Sequence, residues 1–193
     1  SQNALVQNQN IKGSVLAARG AIDYLMITSD LLRPQAERLA NHNRNFRGLN
    51  VKVVSLEEIY NEFSSGNPDI GAIRNLIRYV YESAPSPEER LKYVCLFGDT
   101  SFDYKDRISN NNNIVPTFNT YFSFSQSQSY MTDDYFGSLD PEEGIIENGS
   151  PVGNGGADRL DVAVGRILAD TPQLANSVVD KIISYDSQTA LGR

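Results

Sequence analysis

The chain has no tryptophan, one cysteine and one histidine among its 193 residues. A single cysteine excludes an intrachain disulfide and leaves the redox compartment open. One cysteine with one histidine also excludes the common zinc sites built from those two residue types. No apolar run approaches the ~20 residues that span a bilayer. No Lys/Arg cluster offsets the 17 basic against 24 acidic residues, a net charge of −7, so binding to nucleic acid or anionic lipid is not expected. The N-terminus, Ser-Gln-Asn-Ala-Leu-Val, lacks the basic-then-apolar pattern of a signal peptide.

What is present suits a soluble α/β domain. The length and the 40% hydrophobic content are enough to bury one core without covalent staples. Residues 1–20 are Gln/Asn-rich, then weakly apolar, and read as a lead-in with room for one edge strand. From residue 21 onward the pattern alternates. Tyr24–Thr28 is an apolar run, and Ser29-Asp30 can cap a helix whose stripe is Leu32, Ala36, Leu39, Asn43 and Phe46. Arg47-Gly48 stops that helix. Val51–Ser55 is the next strand, and Leu56–Phe63 a short helix. Asp69 caps an amphipathic helix with Ile70, Ile73, Leu76, Ile77, Val80 and Tyr81 on one face. Tyr93–Phe97 follows as a buried strand stopped by Gly98-Asp99.

Residues 108–157 break this rhythm. They hold four consecutive asparagines (Asn110–Asn113), a Ser/Gln/aromatic tract (Thr117–Tyr130), the acidic pair Asp133-Asp134 and a Gly-rich run. A long irregular insertion in a compact domain is usually functional or disordered, and the recurring aromatics argue against disorder. Asp161–Gly165 returns as a strand with Arg166 just beyond. Thr171-Pro172 opens a last helix with the stripe Leu174, Val178, Ile182 and Tyr185. Strand–helix repetition at this spacing implies right-handed crossovers. The expected fold is a three-layer α/β domain over residues 21–193, with a mostly parallel sheet of about four strands flanked by helices.

Few residues here suit catalysis. Cys95 lies mid-strand with no neighbouring base, where a thiol is ordinarily inert packing. His42 flanks a helix and pairs with no nucleophile motif. Asp99 ends one strand and Asp161 opens another, with Asp158 shortly before it. Carboxylates from separate loops suit a hard cation such as calcium, and ordinary capping acids suit the same spacing. Both readings stand, as they do for Asp133-Asp134. The Asn148-Gly-Ser150 sequon is a weak signal. Two other classes fit a bare α/β reading. One is a receiver-like module holding magnesium or a small ligand at Asp99, which would want a second acid cluster and a Lys near the last strand. The other is an interaction module presenting the aromatic insertion.

Five segments in order carry a resemblance. They are Tyr93-Val-Cys-Leu-Phe-Gly-Asp-Thr-Ser-Phe-Asp-Tyr-Lys105, Val115-Pro-Thr117, Tyr130-Met-Thr-Asp-Asp-Tyr-Phe-Gly137, Asp161-Val-Ala-Val-Gly-Arg166 and Val178-Val-Asp-Lys-Ile-Ile-Ser-Tyr185. Together they resemble the first half of the gingipain-type (C25) cysteine peptidase domain. The Gly-Asp-x-Ser-x-Asp-Tyr and Thr-Asp-Asp-Tyr-Phe-Gly forms are most similar to the sortase branch of the type IX secretion system. The resemblance implies a caspase-like domain of two α/β subdomains, with the catalytic His and Cys in the second. This sequence lacks the Gly-His-Gly that carries the family's histidine, so no catalytic residue is carried over. The resemblance also implies a calcium site at Asp99, Asp161 and approximately Asp158. Its implied partners are the C-terminal catalytic subdomain of the same chain and protein substrates of the secretion system. Its implied location is the periplasm or the outer-membrane surface of a bacterium.

Overall fold

The computed structural model describes residues 13, 21–105, 107–120, 124–125, 129–140, 146–147, 150–151 and 160–187. Asp158, Asn148, most of the lead-in and the Gly-rich run lie outside these residues. Four strands form the central sheet: β1 (Tyr24–Thr28), β2 (Val51–Ser55), β3 (Tyr93–Phe97) and β8 (Ala163–Ile167). Their order is β2-β1-β3-β8, and every pairing is parallel. Parallel pairing needs crossovers, and the helices supply them: α1 (Arg33–Arg47), α2 (Leu56–Phe63), α3 (Ile70–Glu82) and α4 (Pro172–Asp186).

Alternation along the strands separates two cores. Leu25, Ile27, Val54, Val94 and Leu96 face α2 and α3. Met26, Val51, Val53, Cys95 and Phe97 face α1 and α4. This is the three-layer architecture expected for strands apolar on both faces. Ser55 starts α2 through a reciprocal capping box with Glu58, and the Asp69 carboxylate caps α3 by accepting from the Gly71 N–H. Gly48 closes α1 in a left-handed conformation at φ 67°.

Four details differ from the sequence reading. Helix α1 begins at Arg33, after a turn through Leu32, and neither Ser29 nor Asp30 caps it. Phe46 is exposed and stacks on His42 with ring centroids 5.1 Å apart, so it lies off the buried stripe. Strand β8 runs two residues later than expected, which places Arg166 inside the sheet. Helix α4 buries Ala175 and Val179, whereas Leu174 and Tyr185 stay exposed. The insertion is not wholly irregular. It contains two antiparallel ribbons, β4 (Phe118–Asn119) with β5 (Met131–Thr132) and β6 (Ile146–Glu147) with β7 (Ser150–Pro151), and a 3-10 turn at Asp134–Phe136.

Candidate functional site

The C-terminal ends of the parallel strands form a rim, the place where open α/β sheets gather functional groups. Thr28, fully buried, donates its hydroxyl to the Phe97 carbonyl at 2.8 Å and ties the ends of β1 and β3 together. Past Phe97 the chain stays on β8: the Gly98 N–H donates to Ile167 O at 3.0 Å and the Asp99 N–H to Ala169 O at 2.9 Å. A Cβ on Gly98 would sit 2.8 Å from the Cγ2 methyls of both Ile114 and Val115. Only glycine lets the returning insertion pack this closely on the turn.

Asp99 organises that return. Its Oδ1 accepts from the Thr100 N–H at 2.8 Å, and its Oδ2 accepts from Asn112 Nδ2 at 2.6 Å. Its main-chain carbonyl accepts from the N–H groups of Ile114 and Val115, both at 3.0 Å. The asparagine run works as a clamp. Asn113 Oδ1 accepts from the Thr100 hydroxyl at 3.2 Å and the Ser101 N–H at 3.3 Å, and Asn111 Nδ2 donates to Asp103 O at 2.8 Å. The Asp103 carboxylate closes the loop by accepting from the N–H groups of Ile108, at 2.7 Å, and Arg107. The Ile108 donor leads in holding that carboxyl below the ordinary carboxylate range.

Arg166 is the second organiser, and its side chain is buried to 8% exposure. Its guanidinium donates to three main-chain carbonyls: Gly98 O at 2.9 Å, Val115 O at 2.7 Å and Pro116 O at 3.3 Å. It also grips Asp133 with two parallel bonds, Nε to Oδ2 at 2.8 Å and Nη2 to Oδ1 at 2.7 Å. The Thr117 hydroxyl donates to the same Oδ1 at 2.7 Å. A planar fork is what a bidentate carboxylate and several carbonyls require together. One residue of β8 thus fastens the insertion to the rim at two points, Val115-Pro116 and Asp133.

The proposed calcium acids do not converge. The Tyr93↔Ala163 and Phe97↔Ile167 register puts Asp161 before the N-terminal end of β8 and Asp99 beyond the C-terminal end of β3. At ~3.3 Å per residue they lie on the order of 25 Å apart, so they cannot share an ion. Asp161 instead accepts from the Leu139 N–H at 2.9 Å. Both Asp99 oxygens already hold donors, and Asp158 lies outside the described residues. Among the described residues no group of three or more His, Cys, Asp or Glu side chains is placed to hold a metal. Asp99 and Asp161 therefore do not fit one calcium ion together. The second acidic pair is also divided: Asp133 serves Arg166, while Asp134 is exposed.

Neither of the reactive side chains is placed for nucleophilic chemistry. Cys95 is buried in the sheet, and burial pushes its thiol up to about 12. His42 Nε2 meets Asp186 Oδ2 at 2.9 Å, and Arg47 holds the other oxygen of that carboxylate at 2.8 Å. That cluster clasps α1 to α4. The His42 contact leads in holding the Asp186 carboxyl below its ordinary value.

The sequence model of peptidase family C25 matches residues 17–193. The chain belongs to that family. A solved structure, the dimeric latent PorU from Porphyromonas gingivalis, superposes with a TM-score of 0.67 at 31% identity. The match covers 88% of this chain and 16% of that one. A second solved chain, described only as a protease, superposes with a TM-score of 0.58 at 14% identity, covering 87% of this chain and 29% of that one, and shows the fold alone. Comparison with curated proteins gives no match. The structure is therefore a C25 peptidase- or sortase-related domain, spanning a small part of the length of the chains it resembles. Arg166 and the Asn111–Asn113 clamp were not singled out from sequence. An arginine set in an apolar strand, and an asparagine run returning to a Gly-Asp turn, are the signals that mark them.

Proposed function

We propose that this chain is a non-catalytic supporting subdomain of a C25-type cysteine peptidase or sortase that processes proteins of a type IX secretion system. The observation that carries the reading is the state of Cys95. The only thiol in the sequence is buried, has its pKa raised to about 12, and is not paired with the only imidazole, which is engaged by Asp186. A cysteine nucleophile needs an accessible thiolate. In this reading the catalytic Cys and His belong to another part of a longer polypeptide, and this subdomain supports that part. The clamped insertion shapes one side of the approach for protein substrates at the sheet's C-terminal rim. The 31% identity to PorU supports a place outside the cytoplasm, in the periplasm or on the outer-membrane surface. No helix among the described residues is long and apolar enough to cross a membrane. Assaying the isolated 193-residue chain against a broad set of peptides tests the reading. No hydrolysis is expected, and turnover that disappears in Cys95→Ala would overturn it.

A further inference from the structure

Residues 99–108, which follow β3 at the rim, turn the usual polarity of a surface segment inside out. From Ser101 to Tyr104 the side chains alternate between buried and exposed. The two turned inward are polar: Ser101 and Asp103 are each 9% exposed. The two turned outward are aromatic: Phe102 is 67% exposed and Tyr104 64%. Solvent alone favours the opposite arrangement, because an exposed ring forgoes burial and a buried carboxylate needs partners. The Asp103 carboxylate finds them in the N–H groups of Arg107 and Ile108, and the Ser101 hydroxyl accepts from the Asp103 N–H at 3.1 Å.

The inverted pattern is braced. Asn111, Asn112 and Asn113 tie the loop back through Asp103, Asp99 and Thr100. Ile108, at its far end, is 46% exposed. At its base the Asp99 N–H donates to Ala169 O, and Leu168 just before that carbonyl is 61% exposed. Clustered apolar exposure on a polar surface marks a contact site. Aromatic rings on a braced loop suit recognition, because little freedom is lost when they are covered.

Charge gives the sign of the partner. Lys105 and Arg107 are exposed, and Lys105 Nζ lies 5.3 Å from the centroid of the Tyr104 ring. Asp99 and Asp103 are spent on hydrogen bonds within the loop, and Asp106 lies outside the described residues. The described loop therefore presents cations beside rings, on a chain whose net charge is −7. Two cations on so acidic a chain are too few for a phosphate backbone or an anionic membrane.

Resting on the peptidase reading, we infer that this loop is a docking platform for an extended, acidic and apolar segment of a protein substrate. Phe102, Tyr104 and Ile108 take the segment's apolar side chains, and Lys105 and Arg107 take its carboxylates. The platform contributes binding alone.

The test uses a fluorescent peptide that alternates Glu with Leu, and a control in which Lys replaces every Glu. In anisotropy titrations of the 193-residue chain, the Glu peptide is expected to bind at least about tenfold more tightly than the Lys peptide. Combining Phe102→Ser with Tyr104→Ser is expected to weaken the Glu peptide at least about tenfold. The melting temperature is expected to stay unchanged, since both rings are exposed. Lys105→Glu is expected to weaken the Glu peptide and reduce the salt dependence of its binding. Absence of binding, equal binding of the two peptides, or full binding by the double variant would overturn the inference. A dimer of the chain that the double variant abolishes would overturn it in favour of a second copy. Capture by phosphatidylglycerol vesicles, lost in the same variant, would overturn it in favour of a membrane. In the longer polypeptide, adding the Glu-Leu repeat to a cleavable substrate is expected to lower KM with kcat unchanged, and the double variant to remove that gain. A gain that survives the double variant would also overturn the inference. A longer polypeptide with no peptidase activity defeats the functional reading instead, and the peptide titration still decides whether the platform binds.

Discussion

Replacing Arg166 with alanine is the sharpest perturbation available at the rim. The substitution removes five hydrogen bonds: three to the carbonyls of Gly98, Val115 and Pro116, and two to the Asp133 carboxylate. Removing one partner of a buried ion pair costs about 3–5 kcal/mol, mostly because the remaining charge loses its compensation. Asp133 is 26% exposed, so water screens part of that loss and the lower end applies. A cost of about 3 kcal/mol lowers Tm by roughly 6–12 °C in a domain of this size. Urea denaturation of the 193-residue chain reads the free energy. Hydrogen exchange reads the local effect, with the β4–β5 ribbon expected to open before the central sheet. Arg166→Lys should recover only part of the loss, because an ammonium cannot reproduce the fork. Combining Arg166→Met with Asp133→Leu should cost less than the sum of the two single changes. A loss under ~1 kcal/mol for Arg166→Ala, or single effects that add within about 0.5 kcal/mol, would refute the role assigned to this pair.

Three further outcomes follow from the same geometry. Gly98→Ala places a methyl 2.8 Å from two branched side chains and should destabilise the chain by about 1–3 kcal/mol in denaturant titration; a neutral effect would show that the turn is loosely packed. Asp99→Ala strips the acceptors from the Thr100 N–H and Asn112 and should cost about 1–3 kcal/mol, equally with calcium or with chelator; a calcium-dependent loss would return the ion to this turn. The Asp186 carboxyl is held below its ordinary value, so its contribution to stability is complete above about pH 4 and is lost as pH falls through the folded pKa. Asp186→Asn should therefore flatten the acid limb of the stability profile, and an unchanged acid limb would contradict the clasp.

The repeating part of the fold was legible because its signals are local. Apolar runs stopped by turns marked β1, β2 and β3, and a period-3.6 stripe behind the Asp69 cap marked α3. Helix α4 shows where that reasoning stops. Its larger apolar residues are a genuine stripe, but burial depends on what lies opposite, and Ala175 and Val179 occupy the inner face. Strand β8 was displaced by two residues because Asp161-Val-Ala-Val-Gly165 is as apolar as Ala163-Val-Gly-Arg-Ile167, and only strand register distinguishes them. Asp99 and Asp161 fall at opposite ends of the sheet for a related reason. Proximity to strand ends says nothing about which end of the sheet each acid occupies. Cys95, read as packing, is buried at 3% exposure in the core between the sheet and helices α1 and α4.

The account's central claim is that the chemistry of this C25 polypeptide lies outside these residues. The direct measurement is peptide hydrolysis by the longer polypeptide carrying Cys95→Ser, normalised to folded protein. The account predicts kcat/KM within about twofold of the parent, because Cys95 touches no reacting atom. A loss of about a thousandfold or more, the scale of removing a nucleophile, would contradict it and make the buried thiol of β3 the reactive centre.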